Sequence, residues 1–346
     1  MLVWARTGLP GDLATRISRL PGVARAAVVN SGTVWLTGSL SAAGNAVDHP
    51  PPGMAIPLEM AGTSLSSFGP FMPGADQPFL PLLARGQVLL GATSARIRRL
   101  GPGATLVFGS RRLYVAGVVP DADIGAHEVF ASAKTASRFG LRTHTYLLLS
   151  PAGGASLSRL SARIHRVVPS DLPVQIRLPG QATYLRRADS VLPPVMEKLR
   201  FGEFAANPAP RPGGWLSIDP AWVARHILTA WVPILGQVAC NRAVIPQLRG
   251  ALGDLAREGL ASLIHLGDYG GCYAPRLVPG LPGQVVSHHA WGSAIDVNVS
   301  VNLLGSPPHQ DPRVVSAFEH WGFTWGGRWL VPDGMHFEII RQVTAG

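Results

Sequence analysis

The alternation of apolar and polar positions predicts short strands and helices in the first half of the chain. Apolar residues at every second position favour strands, and apolar residues recurring every three or four positions favour helices. The predicted strands are two around an Asn-Ser-Gly turn in 26–38, one at the start of 86–121, a hairpin later in that run, and one at 143–150. The predicted helices are 12–23, ending before Pro21, then TSARIRRL, 134–141 and 157–168. Residues 1–190 are therefore expected to form a strand-rich α+β domain.

The pattern changes beyond residue 190. Residues 191–215, VLPPVMEKLRFGEFAANPAPRPGGW, are dense in proline and glycine and predict a linker. Residues 216–346 are interpreted as a second domain. Its predicted elements are helices at 219–228, with Asp219 as N-cap, and at 241–260, and strands at 262–268 and 335–340.

Size and composition describe an ordered protein large enough for two domains. The 346 residues are 47% hydrophobic and 14% charged, with 40 glycines and 31 prolines, which is typical of turn-rich globular proteins. The formal net charge of +10 comes almost wholly from arginine. A basic surface suits nucleic acid, an anionic membrane or an acidic cell-wall polymer. Because the arginines are dispersed, without a dense basic run interleaved with aromatics, we expect no nucleic-acid partner.

Two cysteines, Cys240 and Cys272, leave the redox compartment open. A disulfide would indicate an exported protein, whereas two buried thiols are usual in a reducing compartment. The N-terminal sequence MLVWARTGLPGDLATR lacks the charged and apolar regions of a signal peptide. No stretch approaches the roughly 20 apolar residues of a transmembrane helix, so we expect no membrane span.

The candidate chemistry lies in two short segments of the second domain. SHHAWGSAID, residues 287–296, places His289 and Asp296 seven positions apart, with small residues between them that allow the chain to turn back. PDGMHFEII, residues 332–340, adds His336 on a predicted strand. Two imidazoles and one carboxylate are good zinc ligands, and three protein ligands leave a fourth position for water, as in catalytic zinc sites.

The neighbours of these three residues have several alternative roles. Asp333, three residues before His336, is a candidate general base for that water. Glu338 shares a strand face with His336, so it would orient that histidine, contact a substrate, or be a plain surface acid. His288 points away from His289 on an extended chain. We interpret it as a surface residue or a neighbour of the ligands, not as a ligand.

The two segments resemble the M15 metallopeptidases, which include VanY-type D-alanyl-D-alanine carboxypeptidases and L-alanyl-D-glutamate endopeptidases. SHHAWGSAID fits the family's SxHxxGxAxD signature, and PDGMHFE fits its closing motif, in which an acidic residue stands three positions before the last zinc histidine. GGCYAPR (270–276) and GFTWGGRW (322–329) are similar to the endopeptidase branch. The resemblance covers roughly residues 200–342. It implies an α+β fold of the Hedgehog/DD-peptidase type, with a small antiparallel sheet and flanking helices.

The resemblance also implies a function, a zinc cofactor and a set of roles. It implies a zinc-dependent peptidase that hydrolyses peptidoglycan stem peptides outside the cell or at the cell wall. Asp333, where other members carry glutamate, would be the base that passes a proton to the leaving amine. Arg276 would anchor a substrate carboxylate, and Ser287 would contact the substrate. The implied Zn²⁺ ligands are His289, Asp296 and His336.

Two other functions stay open at this point. A non-catalytic zinc-containing module that binds the cell wall would keep the metal ligands but would not need the acid at Asp333. A basic nucleic-acid binder would show a steep dependence of affinity on salt.

The first half of the chain carries a resemblance of its own. The runs GQVLLGATSA, YVAGVVPD and YLLL are similar to the extracytoplasmic domain of MacB/FtsX-type permeases. This similarity rests on strand and turn patterns, and it implies no site residue.

Overall fold

The computed structural model describes residues 1–180 and 191–343, which divide into two compact units. The first unit takes in the described residues up to 180 together with Pro193–Met196 and Gly280–Val285. The second takes in Val191, Leu192, Glu197–Pro279 and the described residues from Val286 onward. Residues 181–190, where the sequence analysis ends the first domain, lie outside the described residues.

The first unit is a strand-rich sheet with short helices. Its strands are β1 (Leu2–Leu9), β2 (Val23–Leu36), β3 (Gly38–Leu40), β4 (Ile56–Thr63), β5 (Val88–Gly91), β6 (Thr105–Phe108), β7 (Arg111–Val119), β8 (Val129–Ser132), β9 (His144–Pro151) and β10 (Gln175–Arg177). Its helices are α1 (Gly11–Ser18), α2 (Leu65–Phe68), α3 (Leu80–Ala84), α4 (Ala92–Arg98), α5 (Ala133–Ser137) and α6 (Leu157–Val167). Among the described residues these strands form one sheet, in the order β10-β1-β9-β2-β4-β8-β5-β7-β6-β3. The pairs β4–β8 and β5–β7 are parallel and the others antiparallel.

Two amphipathic helices supply much of the apolar core of this unit. Leu13 and Ile17 of α1 and Leu160 and Ile164 of α6 are fully buried in one cluster with Val3 of β1. The three- and four-residue spacing of these apolar positions places them on one helix face, which is why the pattern predicted both helices. Across residues 1–180 and 191–343, every helix is too short or too polar to span a bilayer.

One predicted turn in this half is wrong. β2 runs without interruption through Asn30, Ser31 and Gly32, where two strands around a turn were expected. It pairs with β9 along its first half and with β4 along its second, and the Ser31 N–H donates to Thr145 Oγ1 at 2.9 Å. Because the extended chain finds partners on both edges, it keeps backbone hydrogen bonds that a tight turn would give up. The other predicted elements of this half are confirmed to within a few residues.

The second unit contains a two-stranded hairpin, a three-stranded sheet and the longest helix described. Its strands are β11 (Ile227–Val232), β12 (Gly236–Asn241), β13 (Ala294–Asp296), β14 (Phe323–Trp325) and β15 (His336–Ile339). Its helices are α7 (Pro194–Phe201), which enters the unit at Glu197, then α8 (Pro220–His226), α9 (Ile245–Arg257) and α10 (Pro312–His320). β11 pairs with β12, and the small antiparallel sheet has the order β13-β15-β14.

Local signals account for the helices of this unit, and packing fixes its central strand. Asp219 caps α8 by accepting the Ala221 N–H at 2.9 Å, as the sequence predicts. α10 turns Phe318 into the core, where its ring lies 4.4 Å from the ring of Phe337. The contact anchors β15, whose alternate residues face the other way.

The structure differs from the prediction at 262–268 and adds a helix to the predicted linker 191–215. The strand predicted at 262–268 is wrong, because the chain there forms two short 3₁₀ turns, Ala261–Leu263 and Leu266–Asp268. The side chain of Asn298 makes hydrogen bonds to this segment that a neighbouring strand would otherwise make. It accepts the His265 N–H and donates to the Leu263 carbonyl, each at 2.8 Å. The segment 191–215, predicted as a linker, contains the helix α7.

Candidate metal centre

The register of the small sheet brings two of the predicted ligands together. Asp296 at the end of β13 pairs directly with His336 at the start of β15. Directly opposed residues in an antiparallel pair have neighbouring side chains. The Asp296 Oδ1 atom accordingly lies 3.0 Å from His336 Nδ1.

The third predicted ligand, His289, comes from a tight turn just before β13. The 3₁₀ turn His288–Ala290 begins at Ser287, whose Oγ accepts the His289 N–H at 3.3 Å. Gly292 then adopts a φ of +66°, and a Cβ there would lie 2.6 Å from the Asn241 backbone nitrogen. Glycine is therefore required for the chain to turn back and enter β13.

Hydrogen bonds to the far side of each ring set the tautomers of the two histidines. His289 Nδ1 lies 2.8 Å from the Cys272 carbonyl oxygen, which can only accept, so Nδ1 carries the hydrogen and Nε2 offers a lone pair. His336 is turned the opposite way, with Nε2 at 3.1 Å from Glu338 Oε2 and Nδ1 free to offer a lone pair. Both lone pairs point at Asp296.

The three donors fit a tetrahedral zinc site. His289 Nε2 lies 3.2 Å from His336 Nδ1 and 3.3 Å from Asp296 Oδ2, and all three side chains are buried. Zinc bonds of 2.0–2.1 Å separate two tetrahedral ligand atoms by about 3.3 Å. Two nitrogen lone pairs and a carboxylate at these distances repel one another unless a positive charge lies among them. The donor set and its spacing therefore fit a divalent cation such as Zn²⁺.

The pKa values of Asp296 and His336 in the metal-free site also indicate that a positive charge is favoured there. Burial acts to raise the pKa of Asp296, but the facing His289 and His336 imidazoles hold it well below its usual range. Burial acts to lower the pKa of His336, but hydrogen bonds with Asp296 and Glu338 raise it to about 10. A proton on His336 and a metal ion among the three ligands are thus alternative ways to satisfy these carboxylates.

The two cysteines form a disulfide next to this centre, which resolves the alternatives left by the sequence. Cys240 at the end of β12 is bonded to Cys272, with a Cα–Cα distance of 5.3 Å. Cys272 supplies the carbonyl that accepts the His289 Nδ1 hydrogen. The covalent link therefore holds the loop that sets the His289 tautomer.

Arg276 lies beside the three donors and is accessible from outside. Its Nη2 is 3.9 Å from Asp296 Oδ2, and a third of its side chain, 33%, is exposed. A partly exposed guanidinium can bind a carboxylate with two parallel hydrogen bonds. Tyr269 lies nearby, and burial together with the Asp296 charge raises its pKa to about 12.

Asp333 and Ser287, the remaining predicted site residues, take part in hydrogen bonds of the turns that precede β15 and β13. Asp333 is in the turn before β15, where its carbonyl accepts the His336 N–H at 3.2 Å and its own N–H donates to the Gly326 carbonyl at 2.9 Å. It is outside the close group of three donors. Its role as a base, and the contact of Ser287 with a substrate, stay predictions.

Two alternatives for the residues around His336 are decided by burial. Glu338 is 3% exposed and bonds to His336, so it is not a surface acid. His288 is also buried, and its Nδ1 lies 2.8 Å from Glu338 Oε2, so it is a neighbour of the ligands. Sequence reasoning missed Glu197, a fully buried acid of α7 whose Oε1 lies 3.8 Å from His288 Nδ1. Pro194 and Gly202, flanking VMEKLRF, were the available signals of a helix there.

Comparison with known protein families finds a match within the C-terminal part of the chain. Residues 282–339 match the model of the family Peptidase_M15_4, described as D-alanyl-D-alanine carboxypeptidase. The resemblance to M15 peptidases seen in the sequence motifs is thereby confirmed for this segment. A search of curated proteins finds no significant match.

Two solved structures are similar to about half of the chain. The periplasmic region of MacB from Actinobacillus actinomycetemcomitans is 11% identical, with a TM-score of 0.35, over 50% of this chain and 86% of that one. The extracellular domain of the noncanonic ABC-type transporter YknZ from Gram-positive bacteria is 10% identical, with a TM-score of 0.33, over 48% of this chain and 91% of that one.

Proposed function

We propose that the second unit is a zinc-dependent peptidase that hydrolyses peptidoglycan stem peptides. Its activity would be that of a D-Ala-D-Ala carboxypeptidase or an L-Ala-D-Glu endopeptidase, on a Hedgehog/DD-peptidase-like fold. The observation that carries the proposal is the convergence of two histidine lone pairs and one carboxylate at separations of 3.0–3.3 Å. The family match over 282–339 supports the peptidase class.

The ligands of the ion would be His289 Nε2, His336 Nδ1 and a carboxylate oxygen of Asp296. When bound, zinc supplies a Lewis acid and lowers the pKa of water to roughly 7. Three protein ligands leave a coordination position open, which distinguishes catalytic from structural zinc sites. Cys272 and Glu338 hold the ring hydrogens on the far sides of the two imidazoles and keep the rings correctly turned for metal binding.

The remaining steps are assigned to residues around the centre. Asp333 accepts the proton of the attacking water and then delivers it to the leaving amine. Arg276 binds a carboxylate of the substrate and so fixes which peptide bond reaches the water. The partial exposure of Arg276 beside buried Asp296 supports this assignment, since a peptide can reach the side chain from solvent.

An extracellular or wall-associated location is part of the proposal. The Cys240–Cys272 disulfide is the structural observation in its favour, since such bonds persist in oxidising compartments. A stem peptide of the cell wall is also found there.

The test is hydrolysis of a defined pentapeptide muropeptide by the full chain, with products identified by mass. We expect zinc at one ion per chain, loss of turnover with a chelator, and loss in His336→Ala. Asp333→Ala should lower kcat about 10²–10⁴-fold, as loss of a general base does. Glu319→Gln, which removes an exposed carboxylate paired with Arg328, is the control. Undiminished turnover in the Asp333 and His336 variants would refute the mechanism, and bound zinc without hydrolysis would favour a wall-binding module.

A further inference from the structure

A chain of buried polar side chains extends from His336 away from the three donors. Glu338 Oε2 lies 3.1 Å from His336 Nε2 and 2.8 Å from His288 Nδ1. His288 Nδ1 in turn lies 3.8 Å from Glu197 Oε1. Exposures of 8% for His288, 3% for Glu338 and none for Glu197 exclude solvent from the chain.

Both contacts of Glu338 use the same carboxylate oxygen. Within the described part of the chain, its other oxygen, Oε1, receives no hydrogen bond. The orientation of this carboxylate is therefore set by His336 on one side and His288 on the other.

His288 is itself held by its own turn and by the helix α7. It belongs to the same 3₁₀ turn as the ligand His289, so its backbone moves with that ligand. Ser293 Oγ contacts the His288 carbonyl at 3.0 Å and Glu197 Oε2 at 2.6 Å, which ties the turn to α7. Arg200, one turn further along α7, donates to the Ile340 carbonyl just after β15. The helix therefore contacts both segments that carry the histidine ligands.

We propose that His288 is a positioning residue of the metal centre, which acts through Glu338 to fix the ring of His336 and is held in place by Glu197. The proposal rests on the zinc site proposed above. Without the His288 imidazole 2.8 Å from Oε2, the Glu338 carboxylate can rotate and no longer holds the His336 Nε2 hydrogen in one direction. The Nδ1 lone pair then points less consistently at the other two ligands, and the metal binds more weakly.

Substitutions that differ only in the donor provide the test. His288→Leu and His288→Phe fill the space without an N–H, and using both guards against failure of either to fold. His288→Asn keeps an N–H near the position of Nδ1. Loss of a group that orients a metal ligand costs about 10–100-fold in affinity. We expect about tenfold weaker Zn²⁺ binding in the two donor-free variants and binding within about threefold of wild type in His288→Asn.

The measurements are Zn²⁺ affinity by chelator competition, the visible spectrum of the Co²⁺-loaded chain, and melting of each metal-free variant. A changed Co²⁺ spectrum in the donor-free variants, restored in His288→Asn, supports positioning, since a merely structural defect would appear in the melting instead. His320→Leu replaces an exposed histidine of the same unit and should bind like wild type.

Three results would overturn the proposal. Two of them leave the proposed zinc site intact, and the third contradicts that site as well. Donor-free variants that bind zinc as tightly as wild type, with unchanged Co²⁺ spectra, overturn the role of His288 alone. So does a His288→Asn variant as weak as His288→Leu. A wild-type chain that binds neither Zn²⁺ nor Co²⁺ overturns the zinc peptidase, and the role of His288 with it.

Discussion

Substitution of Glu197 by glutamine should change how the stability of the metal-free chain depends on pH. Glu197 is fully buried in α7, and this burial raises its pKa from the usual 4.5 to about 7, against the opposing charge of His288. In the unfolded chain the same carboxyl regains an ordinary value. The folded state therefore binds this proton more tightly than the unfolded state does.

The sign and size of the effect follow from that difference. Below pH 4.5 the carboxyl is neutral in both states and contributes its full stability. As the pH rises from 4.5 to about 7, the unfolded state gains from ionisation while the folded state keeps its proton, so stability is lost until the folded carboxyl also ionises. At 1.36 kcal/mol per pKa unit, the difference between 4.5 and about 7 corresponds to a loss of about 3 kcal/mol.

Glutamine has nearly the shape of a neutral glutamic acid and does not titrate. The free energy of unfolding would be measured for wild type and Glu197→Gln between pH 4.5 and 8, by denaturant titration in the presence of a chelator. Titrations of groups that do not interact with Glu197 are common to both proteins and cancel in the difference. Wild type should lose about 3 kcal/mol relative to Glu197→Gln over this range.

A matched surface change checks the interpretation. Glu319→Gln removes one carboxylate from an exposed pair with Arg328, and it reports how much of the change comes from net charge alone. The reasoning would be refuted if the difference in free energy of unfolding between wild type and Glu197→Gln stays constant with pH. It would also be refuted if wild type becomes the more stable protein as the pH rises. Either result would show that Glu197 is ionised in the fold at the same pH as in the unfolded chain.

Three further variants have expected outcomes. Replacing Cys240 and Cys272 by serine should lower the free energy of unfolding by about 3–4 kcal/mol, measured by denaturant titration, since the bridge closes a loop with a sequence separation of 32. It should also weaken zinc binding, because the Cys272 carbonyl orients His289. Ser287→Ala should lower the free energy of unfolding by about 1 kcal/mol, because the turn loses its cap. An increase in KM larger than that of an equally destabilised control variant would instead show that Ser287 contacts the substrate. Arg276→Lys should raise KM for a carboxylate-bearing peptide about tenfold with little change in kcat, since lysine cannot bind bidentately.

The local parts of the candidate centre could be predicted from the sequence. His289 and Asp296 are seven residues apart, and the glycine between them permits the necessary turn. The alternation of 335–340 predicted a strand, which the structure has as β15, and it placed His336 and Glu338 on one face. Neighbouring residues and simple periodicities suffice for such statements.

Long-range partners could not be predicted in the same way. The turn expected at Asn30-Ser31-Gly32 has the right residue types, but β4 and β9 pair with the chain on both sides and keep it extended. The strand expected at 262–268 lacks a strand partner, since Asn298 takes its backbone hydrogen bonds. In both places a tertiary contact outweighs the local preference.

The chemistry of the centre shows why a ligand motif is only part of a metal site. The motif supplies two histidines, but each can be protonated at either nitrogen, and only one tautomer of each directs a lone pair at Asp296. His289 must carry its hydrogen on Nδ1 and His336 on Nε2. The Cys272 carbonyl sets the tautomer of His289, and Glu338 sets that of His336. Glu338 is in turn contacted by His288, which lies next to Glu197. The disulfide and the helix α7 therefore belong to the candidate metal centre together with the three donors, since they contact the groups that direct both lone pairs at Asp296.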